Sequence, residues 1–294
     1  MKNDYAYAAA RIRVRELSLL NRQALEQLLE ARTADEVLRR LTDQGWGDSH
    51  PPQNEEELLR CEEKKTWQLM EELLADVSVL DPLKMKTDYQ NLKAAVKLSV
   101  SGTSVPKERF FRPGGRCSPE ELLACAREGD YRSLPGNMAS AGEEARRVLL
   151  RTGDGQLCDT LLDRAWMDEL YAAGTGTGEE ALRQYAVLTV AAADIRTAVR
   201  CARMGKSGEF MERALAPVRE LDTEALAAAA LSGQEQIEGY LETTEFAGAA
   251  EALRISDAAF ETWCAGELME RLKPQKAESF TAGPLAAYIL AREN

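Results

Sequence analysis

The sequence predicts an all-α protein. Helix-start signals recur along the chain, alternation of β-branched residues is scarce, and long runs keep the three-to-four-residue apolar period of a helix that buries one face. The 294 residues carry 45% hydrophobic and 29% charged side chains, as expected of an ordinary globular chain able to bury a sizeable core. The formal charge is −12, with 49 acids against 37 lysines and arginines. No basic face of the kind that reads phosphates is visible, so neither nucleic acid nor a direct lipid anchor is expected. No stretch of about 18 apolar residues is present to span a bilayer. The opening "MKNDYAYAAARIR" lacks the apolar region and cleavage pattern of a secretory signal, so a cytoplasmic protein is expected.

The elements follow in order. Asn21 is placed to cap "RQALEQLLEA", and Thr33 to Glu36 form a capping box before "VLRRL". Asn54 precedes three glutamates, Glu55 to Glu57, where the positive end of a helix dipole favours acids. That helix is expected to run through "RCEEKKTWQLMEELLADV" and to stop near Asp81-Pro82. Ser118 to Glu121 form a second capping box, with Pro119 at the first helical position. Helices are also read in "PGNMASAGEEARRVLLR", in "LCDTLLDRAWMDELYAA" and, as a long one, in "EEALRQYAVLTVAAADIRTAVRCARM". Loops are expected at 45–52, 101–116, 174–178 and 204–209, the second being the strongest boundary because it mixes Gly, Pro and bases after an unbroken helical region.

The motifs that could carry chemistry do not survive inspection. "MGKSGE" ends like a phosphate-binding loop at Gly205, Lys206 and Ser207, but the pattern requires Gly where Arg200 stands, and a strand where a helix is expected. A helix C-terminus turned by glycine is the plainer reading. "GTGTG" between helices reads as a connection. His50 is the only histidine, and no second ligand is spaced to make a metal site with it. The six cysteines, at 61, 117, 125, 158, 201 and 264, form no CxxC pair and read as reduced thiols. The acidic pairs Asp35-Glu36 and Glu143-Glu144 read as helix starts and surface charge, not as acid/base machinery. No catalytic, cofactor or metal site is therefore expected.

The most informative feature is internal. "KTDYQNLKAAVK" (86–97) and "AADIRTAVRCAR" (192–203) share an outline, and their aspartates, Asp88 and Asp194, lie 106 residues apart. Aromatic landmarks recur before or within the corresponding segments, at Trp67, at Trp166, and at Phe260 with Trp263. The chain thus divides into three related helical units, 1–105, 106–208 and 209–294, too long for a solenoid repeat of about 34 residues. Three diverged units pack more naturally around a centre than in a line. Within this frame Asp88, Asn91 and Lys93 read as structural marks of the repeat, Asp88 near a helix start and Asn91 beside it on the same face.

"YAYAAARIRVRE" with "LLNRQALEQLLEARTADEVLRRLTDQGWG", then "TDYQNLKAAVK", "ADIRTAVRCARMGKSGEFMERALAP" and "GPLAAYILAREN", in this order, resemble the C subunit of V-type (A/V-type) rotary ATPases, a family that includes the d subunit of the eukaryotic V-ATPase. The likeness is thin between about 100 and 180. It implies a funnel-shaped, pseudo-threefold helical protein without nucleotide, peripheral to the cytoplasmic face of the membrane. It also implies a rotor adaptor that joins the central shaft, made of the D and F subunits, to the proteolipid ring and transmits torque. The family continues past the segment that ends here at Asn294, so a truncated end is expected, with part of the stripe Leu285, Tyr288, Ile289 and Leu290, or the groove it would cover, left exposed. The rival reading is a free-standing helical binding or regulatory scaffold. The residues that would touch a partner are not assigned.

Overall fold

The computed structural model describes residues 2–48, 52, 54–101 and 110–293. His50 lies outside them, as do residues 102–109 of the loop expected at 101–116. Fifteen α-helices and no strand occur among the described residues, so the all-α expectation holds. The chain divides by packing into two compact units, Met1–Val79 with Lys276–Asn294, and Leu80–Gln275.

The first unit holds α1 (Lys2–Glu16), α2 (Arg22–Leu29), α3 (Ala34–Asp43), α4 (Glu55–Leu73) and α15 (Gly283–Glu293). The expected caps form: Asn21 accepts from the Ala24 amide, Thr33 from that of Glu36 and Asn54 from that of Glu57. Each side chain satisfies one amide that the helix itself leaves open. The box at Thr33 is not reciprocal, because Glu36 accepts from the Arg32 amide instead. Ala8, Ala9 and Ile12 give α1 a buried face, and α1 packs on α4 and α15. Every residue of α15 from Gly283 to Leu290 is buried. The stripe Leu285, Tyr288, Ile289 and Leu290 is therefore covered, against the expectation of partial exposure.

Two boundaries differ from expectation. Helix α4 ends at Leu73, and a 3-10 turn, Val77–Leu80, leads straight into α5 (Asp81–Ser101). Pro82 opens α5 instead of closing α4: in a first turn its missing N–H costs no helical hydrogen bond. Asp88 consequently lies seven residues into α5, not near its start.

The second unit runs through α5, α6 (Pro119–Glu128), α7 (Met138–Thr152), α8 (Gly155–Gly176), α9 (Glu180–Met204), α10 (Gly208–Ala214), α11 (Thr223–Ser232), α12 (Gln234–Leu241), α13 (Ala247–Ile255) and α14 (Asp257–Lys276), the last residue of α14 counting with the first unit. Leu92, Val96, Leu122, Leu162, Leu170, Leu182, Val190 and Ile195 are essentially without exposure and make its core. Helix α8 runs through most of "GTGTG", which had read as a loop. The reason is packing: a Cβ on Gly174 would lie 2.4 Å from the Ala186 Cβ and 2.8 Å from the Leu182 carbonyl. Glycine lets α8 and α9 approach backbone to side chain. The turn itself falls on Gly178, at φ +74°.

Candidate functional site

The stretch 86–97 lies on α5 and gathers a buried polar network. Asp88 and Asn91 are one helical turn apart and almost wholly buried, at 0% and 1% exposure. Two free carboxylate oxygens in such a place demand donors. Asp88 Oδ1 accepts from the amides of Arg116, at 2.7 Å, and Cys117, at 3.1 Å, while Oδ2 accepts from Arg116 Nε at 2.6 Å. Asn91 exchanges two hydrogen bonds with the backbone of Arg112, each 2.8 Å, as a neighbouring strand would. One face of α5 thus grips the loop leading to α6 at both ends of its described part.

Arg116 extends the network to α8. Its Nη2 donates to Glu169 Oε1 at 3.2 Å, and Glu169 Oε2 accepts from the Tyr89 hydroxyl at 2.7 Å and the Asn137 amide at 3.0 Å. Burial pulls the Arg116 pKa down, but the bond to Asp88 and the charges of Asp88 and Glu169 more than offset it and hold the pKa above its usual value. Burial, then the bond to Glu169, pushes the Tyr89 hydroxyl well above its ordinary range. Burial, with the Asp88 charge, raises the Cys117 thiol to about 12. A thiol held this way is not a nucleophile at neutral pH. Lys93 pairs with Asp163, and Lys97 with Asp159 at 2.7 Å, so the other marked residues tie α5 to α8 along its length.

The similar stretch 192–203 lies on α9 and also holds a loop. Asp194, on α9, is also 0% exposed, and its Oδ1 accepts from the Ala216 amide at 2.9 Å in the loop leading to α11. That loop is held from α8 as well, by Arg164 on the Leu215 carbonyl and by the Tyr171 hydroxyl, which accepts from the Arg219 amide. Two features of the network on α5 are missing. Thr197 stands where Asn91 would recur, and no arginine reaches Asp194, whose Oδ2 is buried without a hydrogen-bond partner among the described residues. Burial pushes this carboxyl up to about 8; the Ala216 amide and the Arg164 charge oppose the shift and the Asp168 charge adds to it. Sequence reasoning found the two aspartates through their spacing. It missed Arg116 and Glu169, which lie 28 and 81 residues from Asp88 and carry no local pattern.

The motif resembling a phosphate loop is the end of α9. Gly205 takes φ +61°, and the Lys206 amide donates to the Cys201 carbonyl at 3.0 Å, closing the helix by a Schellman turn. Ser207 then caps α10 through the Phe210 amide. Lys206 lies over the Phe210 ring, with its ammonium 5.1 Å from the ring centre. The six cysteines are free thiols, four of them buried. Among the described residues no group of three or more metal-ligating side chains gathers, and no helix is long and apolar enough to cross a membrane. Of the acidic pairs, Asp35 and Glu36 lie in the first turn of α3 as expected, whereas Glu143 and Glu144 lie on the second turn of α7.

Comparison with known proteins agrees with the motif order. The chain is 26% identical over 230 residues to the V-type ATP synthase C subunit of Thermus thermophilus, covering 72% of this chain and 70% of that one. It is 27% identical over 234 residues to the A-type ATP synthase C subunit of Thermococcus gammatolerans, covering 72% of this chain and 61% of that one. Residues 8–294 match the family described as ATP synthase (C/AC39) subunit, and the chain belongs to that family.

Proposed function

We propose that this chain is the rotor adaptor of a V-type rotary ATPase, joining a central shaft of the D and F subunits to the membrane proteolipid ring and transmitting torque between them. Membership of the family makes it a structural, non-catalytic part of the ATPase complex, within the context of ATP-coupled ion transport. The adaptor role is a finer reading, and one observation carries it: the chain spends its buried polar groups on holding two loops in a repeated way, Asp88 on the loop before α6 and Asp194 on the loop before α11. A catalytic site needs perturbed groups facing a cleft that admits substrate. These groups face backbone amides, and they stiffen connections between helices, as a part that carries torque requires. The proposal keeps three related units, 1–105, 106–208 and 209–294, arranged around a centre that takes the shaft tip, with attachment to the ring through protein on the cytoplasmic side.

The test is to mix the full chain with purified D–F and follow the product by size-exclusion chromatography with light scattering. A one-to-one complex is expected. No complex from a folded chain would sink the adaptor reading and favour the free-standing scaffold. In parallel, calorimetry with Mg-ATP should show no saturable heat, because Arg200 occupies the place of a phosphate-loop glycine and Lys206 belongs to a helix end. Saturable binding lost in Lys206→Ala would contradict that.

A further inference from the structure

Between the end of α6 and the outer face of α7 lies a cavity of about 410 Å³, lined by Gly129, Tyr131, Glu143, Arg146, Arg147 and Arg151 among others. Three arginines on one side of one helix are notable in a chain of formal charge −12. Among the described residues only Arg147 of the three has an ion-pair partner, Glu144 at 3.3 Å, and both of those side chains are mostly exposed. Arg146 and Arg151 make no ion pair with a described residue, and Glu143, the single acid of the lining, pairs with neither.

A second observation is independent of the charge. Tyr131 is 3% exposed, and its hydroxyl and Arg146 Nε are both buried without a hydrogen-bond partner among the described residues. Native structures leave few buried polar groups in this condition. Arg146 Nε can only donate, and the tyrosine hydroxyl, kept protonated because burial raises its pKa to about 12, is a donor too. Two residues that line one cavity thus each carry a donor without an acceptor, beside cations without an ion pair, and an anionic acceptor answers both. Gly129 keeps the place open. It ends α6 at φ +74°, and a Cβ there would press on Arg146 Nη1 at 3.2 Å, so the guanidinium rests against bare backbone. A guanidinium is the side chain best suited to hold two oxygens of one oxyanion at once.

We propose that this cavity binds a phosphate-type oxyanion, free or as the end of a small phosphate monoester, with Arg146 and Arg151 supplying charge and Tyr131 a hydrogen bond. Binding draws on a turn of the Arg146 side chain, which brings its shielded Nε and the Tyr131 hydroxyl within reach of the ligand. The site shares no residue with the loop clamps, and its test does not depend on the adaptor reading.

The experiment titrates inorganic phosphate, and in a second arm glucose 6-phosphate, into the full chain at constant ionic strength. Saturable one-site binding is expected. Tighter binding of the ester by about tenfold or more assigns the site to a monoester, and equal or weaker binding assigns it to free phosphate. Arg146→Gln should weaken binding about tenfold or more and Tyr131→Phe about threefold. Arg213→Gln, at an exposed side chain of α10, changes the net charge equally and should leave the affinity unchanged. If Arg146→Gln proves poorly folded, Tyr131→Phe and Arg151→Gln carry the comparison. Heats that do not saturate, or equal weakening in Arg213→Gln and Arg146→Gln, would overturn the proposal. So would a Tyr131→Phe chain that melts higher and binds as before, since the hydroxyl would then be a mere packing cost.

Discussion

Asp88 and Asp194 stand at matching places in the two similar stretches 86–97 and 192–203, and both are cut off from solvent. Asp88 keeps its charge company with Arg116, whereas Asp194 has one amide and no cation within bonding reach. Desolvation without a counter-charge favours the neutral acid. Its folded pKa of about 8 lies above the unfolded value near 3.8. The folded chain therefore holds a proton that the unfolded chain gives up, and stability falls as pH rises from about 4 to about 8, by at most about 1.4 kcal/mol per pH unit. Asp194→Asn should flatten that slope, melting near wild type at about pH 4 and clearly above it at about pH 9. An unchanged slope would mean that Asp194 is charged in the folded chain. Arg116→Met leaves Asp88 and Glu169 buried without their cation and should cost roughly 3–5 kcal/mol in urea unfolding. Adding Asp88→Asn and Glu169→Gln should recover part of it; a single substitution near neutral would show that water already serves these carboxylates. The aspartates could be read from the sequence because two stretches of similar outline mark them. The arginine could not: it sits in a Gly- and Pro-rich loop, and its partnership exists only once the loop has folded back on α5.

Helix existence was legible wherever a cap side chain announced it, at Asn21, Thr33, Asn54 and Ser118, because capping is a local bargain among three or four residues. Limits set by packing were not. Pro82 reads as a stop in isolation and acts as a start, because what ends α4 is the turn at Asp76, whose carboxylate accepts from the Ser78 amide at 3.0 Å. The glycines of "GTGTG" read as a flexible link, yet α8 continues through Gly176. Their difference is a prediction. Gly174→Ala thrusts a methyl group at Ala186 and the Leu182 carbonyl and should destabilise the chain by about 1–3 kcal/mol in thermal melts. Gly176 has nothing within 4 Å of a Cβ, so Gly176→Ala should be neutral or stabilise by up to about 1 kcal/mol. Equal effects at the two positions would mean that α8 and α9 do not meet at Gly174.

At the scale of the molecule, the charge sets how a partner is met. An excess of 12 negative charges produces a field that a basic shaft tip would feel before contact. Such a field speeds encounter and fixes register more than it adds affinity. Holding against torque is a different demand, met by area: roughly 800 Å² or more from each partner, with an apolar centre. The two contributions separate experimentally, because salt screens the field over about 10 Å at 0.1 M and about 3 Å at 1 M, while apolar burial survives. Binding of D–F to this chain should therefore slow in association as salt rises, by about tenfold or more over that range, with the dissociation rate nearly unchanged. A salt-independent association rate would mean that the acidic surface plays no part in docking. A dissociation rate rising in step with salt would place the charges inside the contact itself, where each pair must be held without water and Arg116 with Asp88 would be the pattern to look for.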